Sequence, residues 1–145
     1  MSQEAKVAKA IHAVVIDDNK DDLFIATRLL GRAGIKDITQ FSGIPEAIVF
    51  LEDIAEGIRP CPDLVVLDLN VGHDSGFEVL RHYKSNTKLH ACDIIVWTGS
   101  GAIEKELCEH FGVECVPKSK GDAALEQAID DHLKNKSTKS HGADD

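Results

Sequence analysis

The chain is predicted to be an α/β protein built on a doubly wound, five-stranded parallel sheet of order 2-1-3-4-5. Short apolar runs alternate with amphipathic stretches five times along 145 residues. Alternation of this kind gives a parallel sheet with helices on both faces, because the crossovers are right-handed. The central run, Leu64 to Leu67, is Leu-Val-Val-Leu between Pro62 and Asn70, the pattern of a strand covered on both faces. At this chain length the order 2-1-3-4-5 is the natural doubly wound arrangement.

Each element has a local reason. Residues 1–10 are expected to form a polar leader with a little helix. The domain spans 11–133, and residues 134–145 form a polar tail expected to be disordered from Asn135 onward. The first strand, Ile11 to Ile16, is stopped by Asp17, Asp18 and Asn19. Asp21 and Asp22 open a helix, where acidic residues suit the dipole. Its apolar positions Leu23, Phe24, Ala26, Leu29 and Leu30 are read as one buried face, with Gly31 and Gly34 as its end. A short strand at Ile38 to Phe41 precedes a helix from Pro45 to Ile54. Asp68 follows the third strand, and a third helix begins at Gly76 and runs to Tyr83. Ile94 to Trp97 is the fourth strand, closed by Thr98, Gly99, Ser100 and Gly101. Ile103 to Phe111 is a helix, Val113 to Val116 the fifth strand, and Ala123 to Leu133 the last helix.

Composition excludes several classes. With 43% hydrophobic and 28% charged residues the chain is that of an ordinary globular domain. A formal net charge of −9 argues against a general nucleic-acid binder, since phosphate backbones are held by Lys and Arg. No apolar stretch approaches the roughly 18 residues needed to cross a bilayer, and residues 1–10 lack a signal-peptide core. The expectation is a cytoplasmic protein with no membrane or nucleic-acid partner. Cys61, Cys92, Cys108 and Cys115 contain no Cys-x-x-Cys pair and suggest neither a zinc site nor a disulfide framework. The seven His show no ligand spacing and are read as surface or loop residues, with His73 near the site mouth.

The chemistry lies at the strand ends. Strand 1 ends in Asp17-Asp18, strand 3 in Asp68, strand 4 in Thr98 and strand 5 in Lys118. In a 2-1-3-4-5 sheet these converge on the crevice at the carboxyl edge, where open α/β sheets hold ligands. Carboxylates that close together repel, so protons or a cation must offset them. A hard cation such as Mg2+ suits two or three Asp carboxylates and a backbone carbonyl. Thr98 supplies a hydroxyl donor and Lys118 a point charge. A carboxylate nucleophile, a metal, a hydroxyl and an ammonium are what phosphoryl transfer to an aspartate requires. Each residue also has an ordinary alternative: Asp68 ending a strand, Asp17-Asp18 capping a helix, Thr98 in a turn, Lys118 as a surface charge.

With these residues in this order and spacing, about residues 11 to 133 resemble the receiver domain of two-component response regulators, a flavodoxin-like fold. The motifs are Val-Val-Ile-Asp17-Asp18, Leu-Val-Val-Leu-Asp68 with Gly76 eight positions on, Ile-Ile-Val-Trp-Thr98 and Val-Pro-Lys118. The resemblance implies that Asp68 is the phosphoacceptor. It implies that Asp17, Asp18, Asp68 and the backbone carbonyl of Asn70 bind Mg2+, and that Thr98 and Lys118 contact the phosphoryl group. The donor is expected to be a phosphohistidine on a histidine kinase or histidine phosphotransfer protein, with small acyl phosphates as substitutes.

The chain departs from the family pattern at three places: Gly72 where Pro is usual, Ser119 where Pro follows the conserved Lys, and Cys115 where an aromatic residue is usual. A switch is therefore expected to rely on backbone movement from Gly99 to Ile103. By the same resemblance Asn70 and Ser100 influence how fast the acyl phosphate hydrolyses. The expectation is a stand-alone receiver, a monomer or weak homodimer, that promotes its own phosphorylation and dephosphorylation and signals to a downstream protein. Two other classes compete with this expectation: a degenerate receiver acting as a phosphorylation-independent interaction module, and a hydrolase resembling the haloacid-dehalogenase-like phosphatases. The second usually has Asp two residues after its nucleophile, where this chain has Asn70.

Overall fold

The computed structural model describes residues 11–71, 74–99 and 102–143, with no side chains described at 71, at 74 or over 136–143. Residues 1–10, Gly72, His73, Ser100, Gly101 and 144–145 lie outside them, and so do the expectations placed on Gly72, His73 and Ser100. In chain order the elements are β1 (His12–Ile16), α1 (Lys20–Arg32), β2 (Asp37–Phe41), α2 (Ile44–Ala55), β3 (Leu64–Leu67), α3 (Phe77–Ser85), β4 (Asp93–Thr98), α4 (Ala102–Phe111), β5 (Glu114–Pro117) and α5 (Asp122–Ala143). A two-stranded hairpin pairs Asn70–Val71 with Asp74–Ser75 between β3 and α3.

The sheet is parallel throughout, in the order β2-β1-β3-β4-β5, as the sequence predicts. Alternate residues of a strand face opposite sides, and the two cores follow from that. Val14, Ile16, Val65, Leu67, Ile94 and Val96 pack on α2 and α3, with Cys108 of α4. Ala13, Val15, Leu64, Val66, Ile95, Trp97 and Val116 pack on α1 and α5 through Leu29, Leu30, Leu125 and Ile129. All four residues of β3 are buried because the strand lies between β1 and β4 and under helices on both faces.

Some elements differ from the sequence expectation. Asn19 is the N-cap of α1, its side chain accepting from the Asp22 N–H at 2.9 Å. Gly31 lies inside α1; the chain leaves the helix at Ala33 and turns at Gly34, whose φ of +97° is open to glycine. Phe24 does not join the buried face but is 66% exposed, because Leu23 and Ala26 already cover that side of the helix. Strand β4 extends to Asp93 and Thr98, since pairing is a backbone property that polar residues share, and β5 runs from Glu114 to Pro117, one residue later than expected. The last helix continues past Leu133 to Ala143, through part of the tail expected to be disordered. No Gly or Pro interrupts it before Gly142, and extending a formed helix needs only one further bond per residue.

Among the described residues no helix is long and apolar enough to cross a membrane. The four cysteines are free thiols. Burial, with Cys115 hydrogen-bonded beside it, pushes the Cys108 thiol up to about 12, so it packs as a small apolar group.

Candidate functional site

Register brings the expected residues together. Ile16 of β1 pairs with Leu67 of β3, so Asp17 and Asp68 leave adjacent strands at the same level. Thr98 of β4 pairs with Pro117 of β5, which puts Lys118 one residue beyond. The backbone fixes these exits: the Asp17 N–H donates to the Phe41 carbonyl at 3.0 Å and the Asp68 N–H to the Ile16 carbonyl at 2.9 Å. Among the described residues, Asp17, Asp68 and Thr98 are the buried polar ones, at 2%, 6% and 0% exposure.

Asp68 is the centre of the contacts. The Thr98 hydroxyl donates to its Oδ1 at 2.6 Å, and the Asn70 N–H donates to the same oxygen at 3.1 Å. Lys118 Nζ donates to Asp68 Oδ2 at 3.1 Å, to Asp17 Oδ2 at 2.8 Å and to Asp22 Oδ2 at 2.7 Å. The ammonium also lies 5.0 Å from the centre of the Trp97 ring, in range of a cation–π interaction. Trp97 is buried among α5 and β5 residues, as expected of a core residue, and its indole N–H has no hydrogen-bond partner.

Burial dominates the electrostatics. It pushes the Asp17 carboxyl up to about 6, against the hydrogen bonds from Lys118 and the Asn19 N–H, and the neighbouring Asp68 charge adds to the rise. Burial also works against the Lys118 charge, but its hydrogen bonds to Asp17 and Asp22 and the charge of Asp68 outweigh that, holding the ammonium well above its usual range. Lys118 is thus tied down by carboxylates just beyond β1 and β3 and by one on α1.

A hard cation fits the donor set. Asp17, Asp18 and Asp68 each offer a carboxylate oxygen, and these lie within 4.8 Å of one another. Oxygens around octahedral Mg2+ at about 2.1 Å are separated by about 3 to 4 Å, so a small contraction closes the set. Asp18 is exposed while Asp17 and Asp68 are buried, which leaves one side of the cluster open to solvent and to water ligands.

Gly76 holds the other wall. Its N–H donates to the Leu69 carbonyl at 2.9 Å. A Cβ there would collide with the Asp68 carbonyl oxygen and come within 2.9 Å of Leu69 Cα. Its φ of −64° suits any residue, so glycine is required by the close approach of α3 to the chain beside Asp68.

Asp22 is a site residue that its sequence context hides, because an acid in a first helical turn already suits the helix dipole. No local signal singles it out: Asp18 lies before the N-cap Asn19 and so shares no helix face with Asp22. Two histidines also depart from the expected surface or loop positions. His12 instead sits half-buried in β1 against Thr39 at 3.0 Å, and His132 half-buried on α5.

A carboxylate flanked by a hydroxyl and an ammonium, beside two further carboxylates at the carboxyl edge of this sheet, defines the class: receivers of two-component signalling. The chain belongs to the response regulator receiver domain family, whose model matches residues 13–130. It is similar to hybrid signal transduction histidine kinase D of Dictyostelium discoideum, with 28% identity over 112 residues; the match covers 72% of this chain and 7% of that protein. Among solved structures it resembles the phosphorylated cyanobacterial phytochrome response regulator RcpA, with 25% identity and a TM-score of 0.70 over 84% of this chain and 90% of that one. It also resembles the Mn(2+)-bound form of response regulator Rcp1, with 25% identity and a TM-score of 0.67 over 82% and 89% of the respective chains.

Proposed function

We propose that this receiver accepts a phosphoryl group on Asp68 from a phosphohistidine of a histidine kinase or histidine phosphotransfer protein. The observation that carries the reading is the set of contacts on Asp68: a hydroxyl on one oxygen and an ammonium on the other, within reach of Asp17 and Asp18. The similarity to a phosphorylated regulator, to a manganese-bound one and to a hybrid histidine kinase supports it.

In this reading an Asp68 carboxylate oxygen attacks phosphorus in line. The P–O bond forms as the P–N bond to the donor imidazole breaks, and the electron pair leaves with that nitrogen. Asp17, Asp18, Asp68 and the Asn70 carbonyl would hold Mg2+, which when bound would supply charge neutralisation to the transferring group. Thr98 and Lys118 exchange their contacts on Asp68 for contacts on the phosphoryl oxygens, where fixed donors stabilise developing charge. The acyl phosphate then biases the surface seen by a downstream protein.

The test is intact mass after incubation with acetyl phosphate, and Trp97 fluorescence after beryllofluoride, each with and without Mg2+. The expected outcome is Mg2+-dependent gain of one phosphoryl group that disappears in Asp68→Asn. No adduct and no fluorescence change with either reagent would overturn the reading in favour of a phosphorylation-independent interaction module.

A further inference from the structure

The carboxylate at the shortest distance to Lys118 belongs to a residue with no part in the scheme above. Asp22 Oδ2 lies 2.7 Å from Nζ, against 2.8 Å for Asp17 and 3.1 Å for Asp68. An ammonium has three donors, and here each has a carboxylate acceptor. The Asp22 side chain stands on the capped first turn of α1, where its own N–H is bound by Asn19. Asp22 is 23% exposed in its side chain and Lys118 21%, so the pair sits at the lip of the crevice, between solvent and the buried Asp68.

The other two acceptors have further duties. Asp17 belongs to the acidic trio suited to a cation, and Asp68 is the oxygen nucleophile. When both change partners, Asp22 is the carboxylate that keeps its contact with Lys118. The Trp97 ring face bounds the same ammonium at 5.0 Å. Lys carries its charge on a flexible four-carbon stem, so an ammonium that is already placed spares reorganisation when charge develops on the phosphoryl group.

Resting on the function proposed above, we propose that Asp22 is a positioning residue for phosphoryl transfer, holding Lys118 Nζ beside Asp68 while Asp17 and Asp68 exchange contacts.

The test follows phosphoryl gain from acetyl phosphate by intact mass, at saturating Mg2+ and varied donor. The chains compared are the parent, Asp22→Asn, Asp22→Glu, Lys118→Ala and the Asp22→Asn/Lys118→Ala double variant. Asp22→Asn is expected to slow the reaction at saturating donor by about tenfold, with the half-saturating donor concentration and the Mg2+ midpoint in Trp97 fluorescence unchanged within about twofold. Asp22→Glu should recover part of the rate. In the Lys118→Ala background the Asp22 substitution should add no further loss, because its effect runs through that ammonium. The inference is overturned if Asp22→Asn reacts as fast as the parent or faster, or if its loss is equally large without Lys118, as a general structural defect would give. A parent chain that takes up no phosphoryl group overturns the underlying reading as well, whereas a phosphorylated parent with an unaffected Asp22→Asn removes this inference alone.

Discussion

At the carboxyl edge of the sheet, one ammonium faces Asp17, Asp22 and Asp68, and two of those carboxylates are almost fully buried, at 2% and 8% side-chain exposure. At the amino edge, His132 of α5 faces Asp93 of β4 at 3.4 Å and Glu114 of β5 at 3.0 Å, with side-chain exposures of 20%, 28% and 44%. Both clusters join a cation to more acids than it can neutralise, and the difference is how much water shares the load. In the open cluster solvent screens the surplus, so it does little beyond fastening a helix to two strands. In the buried cluster the surplus persists, and a group that brings positive charge gains from entering.

The largest way to sharpen this comparison is Lys118→Met, which keeps the apolar stem but leaves Asp17 and Asp68 without their shared counter-ion. Breaking a buried pair in this way costs about 3 kcal/mol, and the metal-free unfolding midpoint in urea should fall accordingly. Saturating Mg2+ should restore part of the loss, which urea curves measured with and without the ion would show. A loss no larger than that of a substitution at His132 would mean that the two edges do not differ as described.

Gly76→Ala ranks next. One methyl group there meets the Asp68 carbonyl and Leu69 Cα, backbone that a rotamer change cannot clear. Overpacking of this kind costs about 2 kcal/mol, read from thermal or urea unfolding. Because α3 must move away from the chain beside Asp68, the acetyl phosphate reaction should slow in the same variant.

The two edges were unequally legible in the sequence. Asp17, Asp68, Thr98 and Lys118 could be read because each follows an apolar strand, and strand periodicity with parallel order puts all four strand ends at one edge. Asp22 could not be assigned in that way: its partner Lys118 is 96 positions away, and an acid in a first helical turn already has a sufficient local explanation. His132 was hidden for the same reason, since a helix residue that meets Asp93 and Glu114 does so only once α5 has docked on the sheet. The inward face of α1 was read one residue too wide, at Phe24, because hydrophobicity alone does not say where a helix's covered arc stops. Where α5 ends was equally beyond composition: the polar residues after Leu133 resemble a tail, yet they continue a helix already formed.

The smallest effect belongs to the amino edge and carries a definite sign. The hydrogen bond to Asp93 holds the His132 pKa above its usual value, burial opposes this, and the hydrogen bond to Glu114 adds to the rise. A group whose folded pKa is raised contributes stability that is fully present below its unfolded pKa of about 6.5 and is lost as pH climbs through the folded value. His132→Gln should therefore cost about 0.5 kcal/mol in mildly acidic buffer, the scale of a partly exposed ion pair. At alkaline pH, where the parent imidazole is neutral, the difference should shrink. Urea midpoints of both chains across that range give the measurement, with the His132 ring resonances in NMR reporting the titration. A gap that widened with pH would show that neutral His132, not its charged form, makes the stronger contacts with Asp93 and Glu114, and the amino edge would then be a hydrogen-bonded joint with no electrostatic character to set against the carboxyl edge.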